Sequence, residues 1–198
     1  MHADALIIFI KNPEKGKVKT RLAADVGDEQ ALRIYRALLA HTRKVALAVS
    51  VDRLLFYDQY IVEQDDWPHT DFDKHVQVTG DLGARMEAAF SEALGQREKA
   101  VIIGSDCASL TPDIVQQAFS ALDHADAVIG PAMDGGYYLL GLKTLIPEIF
   151  RNMTWSTGQV FQETTDRLKA GTHSYALVDK LSDIDYATDW KKYGWELP

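Results

Sequence analysis

Cysteine is almost absent from this chain, since Cys107 is the only one among 198 residues. A single cysteine can form neither an internal disulfide nor, by itself, a zinc site, which favours a reducing compartment. Long hydrophobic runs are also missing, because the longest one, from Leu6 to Ile10, is far too short to span a bilayer. No charged and then apolar leader precedes a small-residue cleavage site, so we expect no signal peptide. These absences predict a soluble cytoplasmic protein.

Positive charge is scarce as well. Lys and Arg number 21 against 29 Asp and Glu, which gives a formal net charge of −8. Nucleic acids and anionic membrane surfaces are bound through cationic protein surface. We therefore expect neither of them as a partner.

Repeats, low-complexity stretches and Pro- or Ser-rich linkers are absent too, so we expect one domain over residues 1–198. What is present is an alternation of β-prone runs with amphipathic segments, which is typical of an α/β fold. We predict strands at 5–10, 53–57, 75–79, 100–104, 127–130, 137–142 and 174–178. We predict helices from 28 to 49, at 82–94, from 111 to 122, at 159–169 and after 185. Asp28 and Thr111 are expected as N-caps, and Gly95 is expected to end its helix with a positive φ.

The segment after the first strand is rich in cations. Five of them fall within eleven residues, namely Lys11, Lys15, Lys17, Lys19 and Arg21. Ligands of open α/β sheets bind beyond the carboxyl ends of the strands, so this segment predicts an anion site, with Gly16 letting backbone N–H groups approach a phosphate. A solvated basic loop is the alternative. The segment is not a Walker A loop, because Val18 stands where a hydroxyl would bind magnesium.

A second unusual segment, from Gln77 to Met86, lies at the end of the predicted strand at 75–79 and contains Gly80 and Gly83. The two glycines at a strand-to-helix junction can simply form a tight turn. Alternatively, the Gln77 amide and the glycine backbone read a nucleobase.

Carboxylates form the third signal. Asp106 directly follows a buried strand, where a carboxylate is well placed to hold a hard cation, although a capping role is the alternative. Near the C-terminus, Asp183 and Asp185 precede the last helix, and either of them caps it or returns to the metal as its second carboxylate. Cys107 is not expected to be a nucleophile, because no His in the sequence is marked as its base.

The fourth segment is Asp134-Gly135-Gly136, which lies between two predicted strands and is typical of a hairpin turn. The same turn would present a carboxylate and exposed backbone amides beside an aromatic pair, Tyr137 and Tyr138. A polyol or a phosphorylated acceptor could use both.

Together these segments resemble a family of small bacterial proteins with the GT-A glycosyltransferase fold, the nucleotide-diphospho-sugar transferases. The family patterns Phe-x-Lys-x-Pro-x-x-Gly-x-Val-Lys-Thr-Arg-Leu, Gly-Asp-Leu-Gly-x-Arg-Met and Asp-Gly-Gly-Tyr are matched from Phe9 to Leu22, from Gly80 to Met86 and from Asp134 to Tyr137. Trp155-Ser156-Thr157 and Asp183-Ile184-Asp185 match two further segments. The family is similar in turn to 2-phospho-L-lactate guanylyltransferase and to the molybdenum cofactor nucleotidyltransferases. The sequence departs from it at Ala108 and at Tyr186-Ala187, where proline and Thr-Pro are usual.

The resemblance implies a single-domain, three-layer α/β/α GT-A fold with a mostly parallel mixed sheet. It implies Mg²⁺ or Mn²⁺ at Asp106, with Asp185 favoured over Asp183 as the second ligand. The nucleotide-binding residues it implies are Lys11, Gly16, Lys19, Thr20, Arg21, Gln77, Gly80, Asp81 and Gly83. The implied acceptor-binding residues are Gly135, Gly136, Tyr137 and Trp155, and the implied catalytic residues are Asp106 and Asp134.

Three functions are compatible with this pattern. The first is metal-dependent transfer of a sugar from a nucleotide-diphospho-sugar to an unidentified small-molecule acceptor. The second is nucleotidyl transfer from an NTP to a phosphorylated acceptor, which releases pyrophosphate. The third is a non-catalytic nucleotide-binding module, because Gly104-Ser105-Asp106 carries one carboxylate where many GT-A enzymes carry Asp-x-Asp.

Overall fold

Seven strands form one sheet in the computed structural model, which describes residues 2–197. They are β1 (Asp4–Ile10), β2 (Asp52–Tyr57), β3 (Asp73–Val76), β4 (Lys99–Ile103), β5 (Ala127–Pro131), β6 (Tyr137–Leu142) and β7 (Tyr175–Leu177). The order across the sheet is β3-β2-β1-β4-β6-β5-β7. β6 is antiparallel to both of its neighbours, whereas the other neighbouring pairs are parallel. The predicted α/β class with a mostly parallel mixed sheet is confirmed.

β1 is an interior strand between β2 and β4, and it is apolar on both faces, as a strand covered on both sides has to be. Leu6, Ile8 and Ile10 pack into the core on one face, and Ala5 and Ile7 pack into the core on the other. Since helices cover both cores, the chain has the expected three layers.

The helices are α1 (Thr20–Val26), α2 (Asp28–Leu47), α3 (Leu82–Leu94), α4 (Pro112–Ala121), α5 (Val160–Ala170) and α6 (Ala187–Tyr193), with a 3₁₀ turn at Pro147–Ile149. α2 and α4 cover the face of Leu6, and α3 and α5 cover the face of Ile7. The Thr111 hydroxyl accepts a hydrogen bond from the backbone N–H of Ile114 at 3.3 Å, so the predicted cap of α4 is confirmed.

A third, smaller core joins α1, α2 and α6. Leu22 of α1, Ile34 and Leu38 of α2, and Ile184 are buried together, with Trp190 of α6 packed against them. This core fixes the segment 179–186, which we call the C-terminal segment, beside the start of α1.

Two predictions around α2 were wrong. Helix α1 was not predicted, because its seven residues are too few to show a helical repeat and it is stabilised by packing of Leu22. The N-cap of α2 is Gly27 rather than Asp28, which is the first residue of the helix itself.

Three other details also differ from prediction. β3 covers 73–76 instead of 75–79, although the Gln77 N–H still donates to the Tyr57 carbonyl at 2.9 Å. Gly95 ends α3 with a φ of −64°, so no positive φ is required there. Neither carboxylate ahead of α6 caps it, because Asp189 in its first turn accepts hydrogen bonds from the backbone N–H groups of Asp185 and Tyr186 at 3.0 and 2.8 Å.

None of the helices between residues 2 and 197 has both the length and the apolarity that a membrane span requires.

Candidate active site

The four segments singled out in the sequence all follow strands at one edge of the sheet. β1, β2, β4, β5 and β7 run parallel to one another, so their carboxyl ends meet at that edge, and the turn from β5 to β6 lies there too. Asp106 follows β4, Asp134 lies in the β5–β6 turn, and Asp183 lies in the C-terminal segment after β7. The fold therefore brings together carboxylates that are distant in sequence.

Lys19 lies among these carboxylates with its side chain only 5% exposed. Its Nζ is 2.8 Å from Oδ1 of Asp106 and 3.8 Å from Oδ1 of Asp185. The same ammonium donates a hydrogen bond to the Ile184 carbonyl at 2.6 Å. Lys19 was expected to contact a phosphate, but in this structure it is turned inward toward the carboxylates.

Asp183 is partly buried among these acids. Burial, followed by the negative charge of Asp106, raises the pKa of Asp183 to about 7 from an ordinary carboxyl value of 3.8. Lys19 opposes this shift, whereas Asp134 and Asp185 add to it. A carboxyl held this way is short of positive charge, which is a property expected of a cation ligand.

Asp185 faces cations on both sides. Its Oδ2 accepts a hydrogen bond from Nη1 of Arg21 at 2.9 Å, and its Oδ1 faces Lys19. Asp185, which the sequence favoured as the second metal ligand, therefore already has two cationic side chains as neighbours.

The donor set fits a hard divalent cation only in part. No group of three His, Cys, Asp or Glu side chains within residues 2–197 is arranged to hold a metal ion. Mg²⁺, however, usually takes one or two carboxylates and fills its other positions with phosphates and water. The Lys19 ammonium already lies against Asp106, which shows that the carboxylates here can hold positive charge.

The cation-rich segment from Lys11 to Arg21, which we call the basic loop, is held in place by partly buried hydrogen bonds. The Tyr35 hydroxyl accepts the Lys11 backbone N–H at 2.8 Å, and the buried Asn12 accepts the backbone N–H groups of Gln59 and Tyr60 at 3.2 and 3.3 Å. Asn12 also donates to the Tyr60 carbonyl at 2.9 Å. Sequence reasoning missed Asn12 and Tyr35, since an Asn beside lysines and a Tyr at a helical core position give no signal of their own.

The cations of this loop are not all available to a ligand. Lys15 pairs with Glu29 at 2.7 Å and Lys17 with Glu14 at 2.5 Å, so the exposed Gly16 lies between two lysines that already have acidic partners. Lys11, Thr20 and Arg21 are exposed at the same edge of the sheet.

The second segment is anchored mainly by backbone contacts. The Gln77 side-chain amide donates to the carbonyls of Ile10 and Phe56 at 3.3 and 3.2 Å, which ties it to the ends of β1 and β2. Asp81 caps α3 by accepting the Ala84 N–H at 2.8 Å, and Gly80 is exposed just before it. These contacts leave fewer Gln77 and Asp81 atoms for a nucleotide than the sequence suggested.

Gly83 and Trp155 pack against each other rather than line an open site. A Cβ on Gly83 would lie 2.7 Å from the Trp155 indole nitrogen and 2.3 Å from the Phe150 carbonyl oxygen. The indole nitrogen is buried and has no hydrogen-bond partner among residues 2–197. Contacts of either residue with a ligand are therefore not supported.

The Asp134-Gly135-Gly136 turn is as predicted, and its carboxylate is exposed. Oδ1 of Asp134 accepts the Gly136 N–H at 2.9 Å, and the Gly135 carbonyl accepts the Phe161 N–H at 2.9 Å. Tyr137 packs against the core, with its hydroxyl buried beside Thr164 of α5, and this burial raises the pKa of the hydroxyl. The turn can present Asp134 to an acceptor, but Tyr137 belongs to the core.

Cys107 is buried next to the acids. Burial, followed by the charge of Asp183, raises the pKa of its thiol to about 12. The thiol is protonated at neutral pH, which agrees with the expectation that it is not a nucleophile.

Comparison with known proteins identifies the family. The model of the family described as "Uncharacterized protein conserved in bacteria (DUF2064)" matches residues 39–157, which is more than half of the chain. The chain belongs to the DUF2064 family. A search of the curated proteins found no match.

Solved structures agree with the fold of this DUF2064 chain. The crystal structure of a "putative nucleotide-diphospho-sugar transferase" from Desulfovibrio desulfuricans G20 is 30% identical, covers 94% of this chain and 84% of its own, and has a TM-score of 0.86. Two more distant structures share the fold: Rv0371c from Mycobacterium tuberculosis H37Rv in complex with manganese, and 4-diphosphocytidyl-2C-methyl-D-erythritol synthase from Anaerococcus prevotii DSM 20548. The first is 13% identical with a TM-score of 0.58, over 97% of this chain and 98% of that one. The second is 11% identical with a TM-score of 0.59, over 96% of each chain. The expected resemblance to nucleotide-diphospho-sugar transferases is confirmed.

Proposed function

We propose that this DUF2064 protein transfers a glycosyl group from a nucleotide-diphospho-sugar to a small-molecule acceptor. The observation that carries the proposal is the convergence of a cationic loop and several carboxylates at the edge of the sheet where α/β proteins bind ligands. The 30% identical relative from Desulfovibrio desulfuricans supports this class of donor. The single, buried cysteine supports a cytoplasmic setting for the reaction.

The leaving nucleoside diphosphate would lie along the exposed part of the basic loop. Lys11 and Arg21 are exposed there, and the Arg21 side chain is 60% exposed even while it pairs with Asp185. Fixed positive charge that faces the diphosphate stabilises the charge that develops as the glycosidic bond breaks. The backbone at Gly16 and Gly80 would border the same ligand.

Mg²⁺ or Mn²⁺ would be held by Asp106 and Asp183. When bound, such an ion supplies positive charge to the leaving diphosphate. Asp106 is suited to this role because its side chain is 46% exposed and Lys19 contacts only one of its two oxygens. The distant relative Rv0371c was crystallised with manganese, which makes Mn²⁺ a reasonable first ion to test.

Asp134 is the candidate for orienting or deprotonating the acceptor hydroxyl. It is an exposed carboxylate in a turn, and its charge reaches the site because it adds to the shift at Asp183. The backbone of Gly135 and Gly136 would border the acceptor. A general base of this kind has to come within hydrogen-bond reach of the hydroxyl in the bound complex.

The test is nucleoside diphosphate release from a panel of nucleotide sugars with Mn²⁺ or Mg²⁺ present. We expect the wild-type protein to release diphosphate from one donor, and Asp106→Asn to lose at least about 100-fold of that rate, in line with the loss of one electrostatic contact in a transition state. Asp166→Asn, a change at an exposed carboxylate of α5, is the matched control and should retain full activity. Equal rates for the wild type and Asp106→Asn would reject the proposal.

Nucleotidyl transfer is the second candidate. The observation that favours it is the shared fold of the synthase from Anaerococcus prevotii and of CMP:2-keto-3-deoxy-manno-octonic acid synthetase complexed with CTP, which is 11% identical with a TM-score of 0.57. The same cations would then bind the β and γ phosphates of an NTP. Release of pyrophosphate from an NTP distinguishes this reaction, because glycosyl transfer produces none. Nucleotide binding without turnover in either assay would indicate a binding module.

A further inference from the structure

Lys19 has a backbone conformation that L-residues rarely adopt. Its φ of 49° and ψ of 44° lie in the left-handed region, where the Cβ is crowded by the following carbonyl. A non-glycine residue persists in such a conformation when its surroundings hold it there. Here the Lys19 ammonium contacts Asp106, Ile184 and Asp185, and these side-chain contacts hold the residue in its left-handed conformation.

The orientation of Lys19 differs from that of its neighbour two residues earlier. Lys17 lies on the surface with its side chain 60% exposed, whereas that of Lys19 is 5% exposed. The main chain strengthens the inward arrangement, because the Ile184 N–H donates to the Asp106 carbonyl at 2.9 Å while Lys19 binds the Ile184 carbonyl. Lys19 is therefore built into the contact between Asp106 and the C-terminal segment.

We propose that Lys19 is the resident counter-cation of Asp106 and suppresses binding of divalent cations there while no nucleotide is bound. An ammonium 2.8 Å from Oδ1 of Asp106 neutralises one of the carboxylates that would hold the metal, and it repels a divalent ion approaching the other oxygen. The inference rests on the proposed function for the identity of the metal ligand. The consequence is that Asp106 would hold a divalent cation only when the phosphates of a bound nucleotide attract both that cation and the Lys19 ammonium.

The test is a titration of the 198-residue chain with MnCl₂ in the absence of nucleotide, with free Mn²⁺ measured by electron paramagnetic resonance. We expect Lys19→Met to bind Mn²⁺ at least about tenfold more tightly than the wild type, because a unit charge a few ångströms from a divalent ion has an effect of this size even in water. Lys19→Arg keeps the positive charge and should bind Mn²⁺ as weakly as the wild type. Lys17→Met removes an exposed lysine of the same loop and should also match the wild type.

The site of the gain is established by a double variant. Lys19→Met combined with Asp106→Asn should lose the additional Mn²⁺ affinity, since the relevant ligand is gone. Lys19→Gln, which can still donate to the Ile184 carbonyl, replaces Lys19→Met if circular dichroism shows that the methionine variant does not fold.

Two results would overturn the inference. One is a wild-type affinity for Mn²⁺ equal to or higher than that of Lys19→Met, or of Lys19→Gln where it replaces Lys19→Met, and the other is a gain that survives in the double variant. The titration contains no nucleotide sugar, so its failure is distinguishable from a failure of the proposed transferase activity.

Discussion

The hydroxyl of Tyr35 lies 3.3 Å from Oγ of Ser105, and the two residues are 70 positions apart in the chain. The same hydroxyl accepts the Lys11 backbone N–H at 2.8 Å and lies 3.1 Å from the Lys11 carbonyl oxygen. Burial, followed by the charge of Asp106, raises the pKa of Tyr35, so the hydroxyl remains protonated. One buried phenol therefore joins the basic loop after β1 to the segment after β4 that carries Asp106.

Tyr35→Phe should weaken both the fold and the site. Removal of the hydroxyl leaves the Lys11 N–H and the buried Ser105 Oγ without this partner, which costs about 1–3 kcal/mol in the free energy of unfolding. Urea denaturation measures that loss. With an active donor, kcat/KM should fall, because Lys11 of the basic loop and the segment that carries Asp106 both lose this anchor.

The control for this prediction is Tyr60→Phe. The Tyr60 hydroxyl also forms a hydrogen bond, donated to the Glu14 carboxylate at 2.7 Å, but the residue is 49% exposed. Its loss should cost less than about 0.5 kcal/mol. Equal destabilisation by the two variants would show that the buried network around Tyr35 has no special weight.

Much of the fold could be predicted because each central strand is apolar on both faces and each long helix has an apolar face. The cap at Thr111 and the turn at Asp134 were predictable because they depend only on neighbouring residues in the chain. Helix α1 was not predictable in this way, because it is stabilised by packing of Leu22 against residues as distant as Ile184. The local sequence pattern does not indicate a contact between residues so far apart in the chain.

The location of the candidate site could be predicted from the sequence, but the side-chain contacts within it could not. Placing Asp106 and the basic loop at the carboxyl edge followed from strand order in an α/β sheet. The inward turn of Lys19, the burial of Asp183 and the packing of Trp155 onto Gly83 depend on side-chain contacts across the fold. A sequence pattern names such residues but does not say which way they point.

Lys74 provides a second case of a buried ammonium, away from the candidate site. Its side chain is fully buried, and Nζ donates to Oδ1 of Asp65 at 2.8 Å and to the Val62 carbonyl at 2.7 Å. Oδ2 of Asp65 in turn accepts the Tyr57 hydroxyl at 2.6 Å. We expect Lys74→Met to lower the free energy of unfolding by about 3–5 kcal/mol, because Asp65 loses the cation that compensates its burial.

Thermal and urea unfolding of Lys74→Met check this expectation, with Lys44→Met on α2 as the control for the substitution itself. The double variant Lys74→Met with Asp65→Asn should recover part of the loss, since no charge is then left uncompensated. A double variant no more stable than Lys74→Met would contradict the electrostatic explanation.

Gly135 should not tolerate a side chain, for two separate reasons. Its φ of 91° disfavours L-residues, and a Cβ would lie 2.2 Å from the carbonyl oxygen of Gly158. Gly27 has a similar φ of 80° but has nothing within 4 Å of its Cβ position. With its ψ of 156°, Gly27 lies in a region that almost only glycine adopts, so Gly27→Ala should lose about 1–3 kcal/mol of stability from backbone strain alone.

Gly135→Ala should lose clearly more than that, because the steric contact adds to the strain and the Gly158 backbone must move. Urea denaturation of the two variants side by side separates the contributions. If both variants lose the same amount, the close approach of the β5–β6 turn to Gly158 does not constrain the fold.

Asp126 makes stability depend on pH at the start of β5. Its Oδ2 accepts hydrogen bonds from the backbone N–H and the hydroxyl of Ser174 at 2.8 and 2.7 Å, and these bonds lower the pKa of Asp126 below its ordinary value of 3.8. A carboxyl with a lowered pKa in the folded state stabilises the protein above its unfolded-state pKa, and that contribution is lost as the pH falls through the folded-state pKa.

Asp126→Ala should therefore cost about 1 kcal/mol between pH 5 and 8 and progressively less below about pH 4. Unfolding measured across this range checks it, with Asp166→Asn as the control, and a cost that stays constant to pH 2.5 would show that the ionised carboxylate is not what stabilises the contact.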